Sequence, residues 1–191
     1  MAKKIRLSNY FKPSIYVRSF KDVNISQLKL QGIKLFISDL DNTLVPHYSR
    51  LPNKDVLKFI SKIQELNMEF ALMSNNVVNR VKPFVKKANI KYWRASANKP
   101  FKKVAKSLMD EVGASPSETI IMGDQVIMDI LVANRLKCES ILVQPIVSTD
   151  YKMTEFKKFL ENSIYLRLER KNILVRGRYS HGNIAIKFDI L

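Results

Sequence analysis

Short apolar runs alternate with segments of helical spacing along most of this 191-residue chain. Five runs are predicted strands: Ile33–Ser38, Met68–Met73, Ile90–Arg94, Thr119–Met122 and Ser140–Gln144. Four predicted helices lie between them: Asn53–Leu66, Val77–Ala88, Lys99–Val112 and Val126–Leu136. Asn53 is a predicted N-cap, Pro100 a first-turn residue and Gly113 a C-terminal stop. Strands that alternate with helices predict an α/β fold with a parallel sheet covered on both faces.

The same pattern divides the chain into three predicted parts. A basic segment at 1–32 precedes a core at 33–150, and residues 151–191 are expected to form a C-terminal helix and a basic tail packed on that core. A chain of 191 residues suits one sizeable core rather than two domains. The residues around Ser180–Asn183 favour a short hairpin.

The charge indicates what kind of partner the chain has. Lys and Arg number 33 against 17 Asp and Glu, a net charge of +16. Residues 1–34 carry eight of these bases and one acid, and residues 150–191 carry nine bases and five acids. Such an excess implies an anionic partner, either nucleic acid or an anionic membrane. A Lys-rich surface without any such partner is the alternative.

We expect neither an export signal nor a membrane-spanning segment. No apolar run approaches the roughly 20 residues of a membrane span, and the first residues lack the apolar stretch of a signal peptide. A cytoplasmic location is therefore expected, either in solution or attached to the inner face of the cell membrane. The single cysteine, Cys138, fits a reducing compartment, and we expect it to be a packed, inert thiol.

The stretch KLFISDLDNTLVPH, residues 34–47, places two aspartates directly after a buried strand. Asp39 and Asp41 would lie where the chain leaves the sheet. Two carboxylates held about 5 Å apart repel each other by roughly 3 kcal/mol at an effective dielectric constant of 20. A cation or a proton is the usual means of offsetting that repulsion. An acidic turn after a strand, without function, is the alternative.

Other polar residues follow the ends of the neighbouring strands. They are Ser74, Asn75 and Asn76 in MSNN, Lys99 in SANKP, and Asp124 and Asp129 in MGDQVIMD. Sites in parallel sheets form at this edge. Asp39, Asp41 and Asp124 predict a three-carboxylate site for a hard cation such as Mg²⁺. Ser74, the amides beside Asn75, and Lys99 would donate to an anion that faces it, an arrangement typical of phosphoryl transfer.

This four-part pattern resembles the haloacid dehalogenase (HAD) superfamily. DLDNTL is similar to its first motif, MSNN to its second, Lys99 to its basic third motif and GDQVIMD to its fourth. More narrowly, SDLDNTLV, SNN, KP and GDQ are similar to the YqeG-type subclass III phosphatases, relatives of the mitochondrial phosphatidylglycerophosphate phosphatase. The resemblance implies a three-layer Rossmann-like HAD core. No large cap domain is expected, because the intervals between the motifs have no room for one.

The resemblance also implies a role for each motif residue. Asp39 would be the nucleophile that becomes a transient aspartyl phosphate, and Asp41 the general acid and base. The Asp39 carboxylate, the Asp41 backbone carbonyl and the Asp124 carboxylate would hold Mg²⁺. Ser74, Asn75 and Lys99 would bind the phosphoryl oxygens. Asp129 would orient Lys99 or a metal-bound water from behind.

The substrate is predicted from the resemblance, the open site and the basic ends together. We expect a phosphatase that acts on phosphatidylglycerophosphate at an anionic membrane surface and produces phosphatidylglycerol. Polynucleotide or phosphoprotein phosphatase activity is one alternative, and a non-catalytic HAD-fold binding or regulatory module is another. The complete set of motif residues argues against a non-catalytic module. The rim arginines, Arg80, Arg94 and Arg135, would bind a second phosphate or be merely exposed.

Four aromatic residues lie among the N-terminal basic residues: Tyr10, Phe11, Tyr16 and Phe20. They suit a segment that lies in a membrane interface. Packing of the same aromatic side chains onto the protein core is the alternative.

Overall fold

The computed structural model describes residues 7–147 and 155–180 of the chain. One open sheet of six parallel strands has the order β1-β6-β5-β2-β3-β4. The strands are β1 (Ile15–Val17), β2 (Leu35–Ser38), β3 (Glu69–Met73), β4 (Tyr92–Arg94), β5 (Thr119–Gly123) and β6 (Glu139–Val143). The predicted α/β fold with a parallel sheet is confirmed, and all five predicted strands are present within a residue or two.

The helices of the described residues join these strands and cover both faces of the sheet. The α-helices are α1 (Ile25–Leu30), α2 (Lys54–Glu65), α3 (Val78–Ala88), α4 (Lys103–Val112), α5 (Leu131–Leu136) and α6 (Glu155–Glu169). Short 3₁₀ helices occur at Leu7–Phe11, Phe20–Asp22 and Pro116–Glu118. A π-helix, Val126–Ile130, runs directly into α5, so the single helix predicted for this segment has two parts.

The ends of two helices follow their sequence signals, and one start does not. Asn53 caps α2, because its Oδ1 accepts a hydrogen bond from the Val56 amide at 2.9 Å. Gly113 ends α4 in the left-handed conformation with φ 75°. The predicted helix start at Lys99, with Pro100 in its first turn, is wrong, since α4 begins at Lys103. The residue before a proline is disfavoured in the α-helical conformation, so Lys99 stays in a loop at the edge of the sheet.

The core consists of apolar layers on the two faces of the sheet. Phe36 packs against both Phe59 and Phe70 in the layer beneath α2 and α3. The opposite layer joins β2, β3 and β5 to α4 and α5. Because both faces are covered, β2 is buried along its whole length, and the edge where the strands end is the place left for polar side chains.

The N-terminal segment contributes a strand that the sequence patterns did not predict. β1 pairs with β6, with Ile15 opposite Ile141. Tyr16 is 7% exposed and Phe20 is 4% exposed, so these two aromatics pack in the core rather than facing a membrane. The three-part division of the chain stays a prediction.

Two further points concern the predicted C-terminal hairpin and membrane-spanning helices. The predicted hairpin around Ser180–Asn183 extends outside the described residues. Within residues 7–147 and 155–180, none of the helices combines the length and the apolar character that crossing a bilayer requires.

Candidate active site

The strand order brings the predicted site residues to one edge of the sheet. β2 lies between β3 and β5, with Ser38 in register with Leu72 on one side and with Met122 on the other. The chain continues from these three strands into Asp39, Ser74 and Asp124. The neighbouring strand ends therefore gather the first, second and fourth motifs, as the sequence predicts.

Lys99 lies between two aspartates at the centre of this edge. Its Nζ is 2.6 Å from Asp39 Oδ1 and 2.6 Å from Asp129 Oδ1. Lys99 is 6% exposed and Asp129 is 1% exposed, so both contacts are shielded from water. A buried lysine in contact with two carboxylates is a fixed positive charge beside Asp39.

Thr43 connects Asp39 to Asp124. Its Oγ1 lies 3.3 Å from Asp39 Oδ2 and 3.1 Å from Asp124 Oδ1. One hydroxyl hydrogen serves one acceptor at a time, so Thr43 donates to only one of these carboxylates at any moment. The Asp39 and Asp124 carboxylates therefore lie close together, and the single hydroxyl of Thr43 does not offset the charge of both.

The pKa values of the buried groups reflect this crowding. Burial raises the pKa of Asp39 to about 6, against the opposing effect of the Lys99 charge. Burial, followed by the charges of Asp39 and Asp129, raises the pKa of Asp124 well above its usual range. Burial alone would lower the pKa of Lys99, but the charges of Asp129 and Asp39 raise it above the usual lysine value. The site holds a stable ammonium group and more negative charge than that group neutralises.

The donor set fits a hard cation. Carboxylate oxygens of Asp39, Asp124 and Asp129 lie within 4.8 Å of one another. Three buried carboxylates beside one lysine carry an excess of negative charge, and oxygen ligands of this kind suit Mg²⁺. Asp39 and Asp124 are two of the predicted metal ligands, and metal binding by them and by the Asp41 backbone carbonyl stays a prediction. Asp129, which was predicted to orient Lys99 or a metal-bound water, also lies in this cluster.

Asp41 has a different environment from Asp39. Its Oδ1 is 2.6 Å from Arg80 Nη2, and its Oδ2 accepts a hydrogen bond from Asn76 Nδ2 at 3.0 Å. The Asp41 side chain is 21% exposed, whereas the Asp39 side chain is 11% exposed. Both of its oxygens are thus held at the rim of the site by residues of the second motif and of α3.

The second motif forms a tight loop that fixes Lys99. Ser74 is 1% exposed, and its Oγ accepts a hydrogen bond from the Asn76 amide at 3.1 Å. Asn75 Oδ1 accepts from the Lys99 amide at 2.7 Å, and Asn75 Nδ2 donates to the Lys99 carbonyl oxygen at 3.3 Å. Asn75 therefore holds the Lys99 backbone. The predicted contacts of Ser74 and Asn75 with a phosphate stay predictions.

The three rim arginines have separate partners. Arg94 pairs with Glu111 at 2.6 Å, and Arg135 donates to the Pro100 carbonyl oxygen at 3.1 Å. Arg80 contacts a motif residue, Asp41. Its Nε and Nη1 are buried without a hydrogen-bond partner among the described residues.

Sequence reasoning did not identify the contacts of Arg80 and Asn76 with Asp41. One signal for Arg80 was available, because it precedes Phe84 by four residues on the buried face of α3. A charged residue at that position needs a partner. Cys138, by contrast, is as expected: it is buried, and burial raises the pKa of its thiol to about 12, which suits an unreactive thiol.

Comparison with known proteins identifies the family of this chain. The family described as "Mitochondrial PGP phosphatase" matches residues 1–148. The chain belongs to this family. A curated member of similar sequence, "Probable phosphatase YqeG" of Bacillus subtilis (strain 168), is 29% identical over 165 residues, which are 86% of this chain and 95% of the relative. The resemblance of the four motifs to HAD subclass III phosphatases is confirmed. The chain is therefore a phosphatase of this class.

Solved structures support the fold. A cobalt-bound deoxy-D-mannose-octulosonate 8-phosphate phosphatase from Haemophilus influenzae is 17% identical, with a TM-score of 0.51 over 76% of this chain and 95% of that one. An uncharacterised protein from Listeria monocytogenes serotype 4b is 18% identical, with a TM-score of 0.51 over 64% of this chain and 87% of that one. At these identities the likeness is one of fold, namely the open Rossmann-like sheet of HAD proteins.

Proposed function

We propose that this phosphatase uses Mg²⁺ to hydrolyse the terminal phosphate of phosphatidylglycerophosphate, leaving phosphatidylglycerol and inorganic phosphate. The observation that carries the proposal is the pairing of two unlike aspartates. Asp39 is buried against Lys99 at 2.6 Å, and Asp41 lies two residues later at the more exposed rim. A nucleophile beside a fixed charge, with a second carboxylate at the entrance, is the set of groups that two-step phosphate transfer requires.

The reaction proceeds in two balanced steps. An oxygen of Asp39 attacks phosphorus, the bond from phosphorus to the glycerol oxygen breaks, and Asp41 gives that leaving oxygen a proton. Water then attacks the aspartyl phosphate, Asp41 takes a proton from that water, and the phosphate leaves while the Asp39 carboxylate is restored. Asp41 is a general acid in the first step and a general base in the second.

The remaining groups bind and neutralise the phosphoryl group. Lys99 offsets the charge of Asp39 and of the phosphoryl oxygens, and the buried Ser74 and its loop supply donors. The carboxylates of Asp39 and Asp124, with the backbone carbonyl of Asp41, would hold Mg²⁺, which supplies positive charge where two anions meet. Asp129 keeps Lys99 in place through its 2.6 Å contact.

The lipid substrate is supported by the family, the charge and the open entrance. The chain carries a net charge of +16, and an anionic membrane attracts a basic surface by about 1 kcal/mol for each Lys or Arg near it. Between Asp39 and the start of α2, the described chain forms a loop with a single bridge from Asp41 to Val45. No cap domain follows the first motif there, so a headgroup in a membrane would have a short path to Asp39. Peripheral attachment to the inner face of the cell membrane follows as part of the proposal.

A panel of phosphomonoesters tests the proposal. Phosphate release is measured with Mg²⁺ and with excess EDTA on four substrates: phosphatidylglycerophosphate in anionic vesicles, glycerol 3-phosphate, a phosphopeptide and a 3′-phosphorylated oligonucleotide. The expected result is Mg²⁺-dependent release that is fastest from the lipid. Faster release from the oligonucleotide or the phosphopeptide would replace the lipid by that substrate class. No release from any of them would favour a non-catalytic module.

A further inference from the structure

Glu161 is a buried acidic residue that the motifs do not include. It lies on α6, beyond residue 148, where the family match ends. It is 9% exposed. Glutamate is seldom buried to this extent unless its charge is paired or hydrogen-bonded. Burial raises the pKa of Glu161 to about 7, with hydrogen bonds from two backbone amides acting in the opposite direction.

Those two amides belong to the start of the π-helix. Glu161 Oε1 accepts from the Val126 amide at 2.6 Å, and Oε2 accepts from the Ile127 amide at 3.2 Å. The first amides of a helix have no acceptor inside the helix, and a carboxylate at that end is favourable. Glu161 therefore caps this helix from a part of the chain 35 residues away in sequence.

The capped segment is also the segment that carries the fourth motif. Asp124 lies just before it, and Asp129 lies within it and holds Lys99. Asp129 Oδ2 accepts from the Gln125 amide at 3.2 Å. The three consecutive amides of residues 125–127 are thus bound by two carboxylates, one that faces the site and one that comes from α6.

The packing around Asp129 leaves no clearance for displacement toward the strand. A Cβ placed on Gly123 would lie 2.1 Å from Asp129 Cγ, well inside contact distance. Asp129 is thus pressed against the backbone of β5 while its carboxylate reaches Lys99. A small shift of the π-helix would change the position of Asp129, of Lys99, or of both.

We infer that Glu161 is a positioning residue for the active site, which holds the start of the π-helix so that Asp124 and Asp129 stay in register with Asp39 and Lys99. The inference rests on the proposed function of those residues. By this inference, α6 helps to set metal affinity and turnover, although it lies outside the matched family region.

The test compares Glu161→Gln with Glu169→Gln. Glu169 is on the same helix and accepts a hydrogen bond from the Arg176 amide at 3.3 Å, so its substitution also removes a carboxylate that binds a backbone amide. In Glu161→Gln the carboxamide oxygen still accepts one amide, whereas its NH₂ group faces the other. One of the two capped amides then loses its acceptor.

Two readouts do not depend on catalysis. Hydrogen exchange at the Val126 and Ile127 amides is expected to accelerate in Glu161→Gln alone. The Kd for Mg²⁺, measured by titration calorimetry on the full chain, is expected to rise by about tenfold, the lower end of what outer groups contribute to a metal site. We expect kcat for a soluble phosphate ester to fall with KM little changed, and Glu169→Gln to match the wild type in all three.

Glu161→Asp supplies the second variant, because it keeps the charge and shortens the reach. Its expected Mg²⁺ Kd lies between those of the wild type and Glu161→Gln. Wild-type Mg²⁺ affinity in a folded Glu161→Gln would overturn the inference. If Glu161→Gln does not fold, wild-type affinity and kcat in Glu161→Asp would overturn it. A wild-type protein that binds Mg²⁺ in a Glu161-dependent way but releases no phosphate would defeat the proposed function and leave this inference standing.

Discussion

Asp39 and Asp41 are two residues apart in sequence, yet they lie in unlike environments. Asp39 is buried, and its contact with Lys99 is shielded from water and reinforced by Asp129 on the other side of the lysine. Asp41 is twice as exposed, and Arg80 and Asn76 hold it at the rim. Burial and neighbouring carboxylates make the first a group that a cation must stabilise. The second keeps access to solvent and substrate, which a proton carrier requires.

The largest expected effect comes from removing the buried member of this pair. Asp39→Asn should abolish phosphate release, because an amide cannot form the aspartyl phosphate. Steady-state phosphate release and trapping of a phosphorylated enzyme measure this loss. Asp110→Asn on the exposed face of α4 is the control and should keep wild-type rates. Measurable turnover in Asp39→Asn would remove the distinction between the two aspartates.

Asp41→Asn should have a large but smaller effect. We expect kcat on an alkyl phosphate to fall by about 10²-fold, the lower range for loss of a general acid–base group. A substrate with a good leaving group needs little protonation, so its first step should lose less. Burst kinetics with p-nitrophenyl phosphate separate the two steps. Equal losses on both substrates in the first step would mean that Asp41 is not the acid.

Arg80→Gln should lower kcat on an alkyl phosphate by about tenfold, because it releases one oxygen of Asp41 from its partner. The loss should be smaller with p-nitrophenyl phosphate and should nearly vanish in an Asp41→Asn background, since the two residues would act through one group. Arg94→Gln, which breaks an exposed pair with Glu111, is the control. Additive losses in the double variant would show that Arg80 acts apart from Asp41.

The smallest expected effect concerns stability. In the absence of Mg²⁺, Asp39→Asn and Asp41→Asn should change the free energy of unfolding in opposite directions. Because the pKa of Asp39 is raised in the folded protein to about 6, its contribution to stability is greatest at low pH and is lost as pH rises through 6. At pH 7.5, Asp39→Asn should raise the free energy of unfolding by about 1 kcal/mol, which is less than the roughly 3 kcal/mol that the pKa shift alone implies, because the variant also loses a charged contact with Lys99. Asp41→Asn should lower it, because Arg80 loses its partner while mostly buried.

Urea unfolding in EDTA at pH 7.5 and pH 4.5 measures both variants. The gain in Asp39→Asn should shrink at pH 4.5, where the wild-type carboxyl is largely protonated. Added Mg²⁺ should stabilise the wild type more than Asp39→Asn, since the variant loses a ligand. A destabilised Asp39→Asn at pH 7.5 would show that the Lys99 contact outweighs the repulsion among the carboxylates.

Local patterns were sufficient for most of the fold and for the members of the site. Apolar runs of strand length predicted five strands, and the polar residues after them are the ones that meet at the edge of the sheet. The start of one helix was predicted wrongly and one strand was not predicted, and both have local causes. Pro100 keeps Lys99 out of α4, and β1 is a strand of three residues whose pattern is too short to be recognised.

The sequence by itself determined the parallel sheet and the set of charged residues at its edge, because both follow from periodicity and from where strands end. Only the tertiary structure decided how those charges pair. Arg80 meets Asp41 across 39 residues of chain, and Glu161 meets Val126 across 35. No sequence pattern predicts contacts between residues so far apart in the chain, since such contacts depend on how α3 and α6 pack on the sheet. The physical reason is that a buried charge needs a partner, and packing alone decides which partner lies within reach.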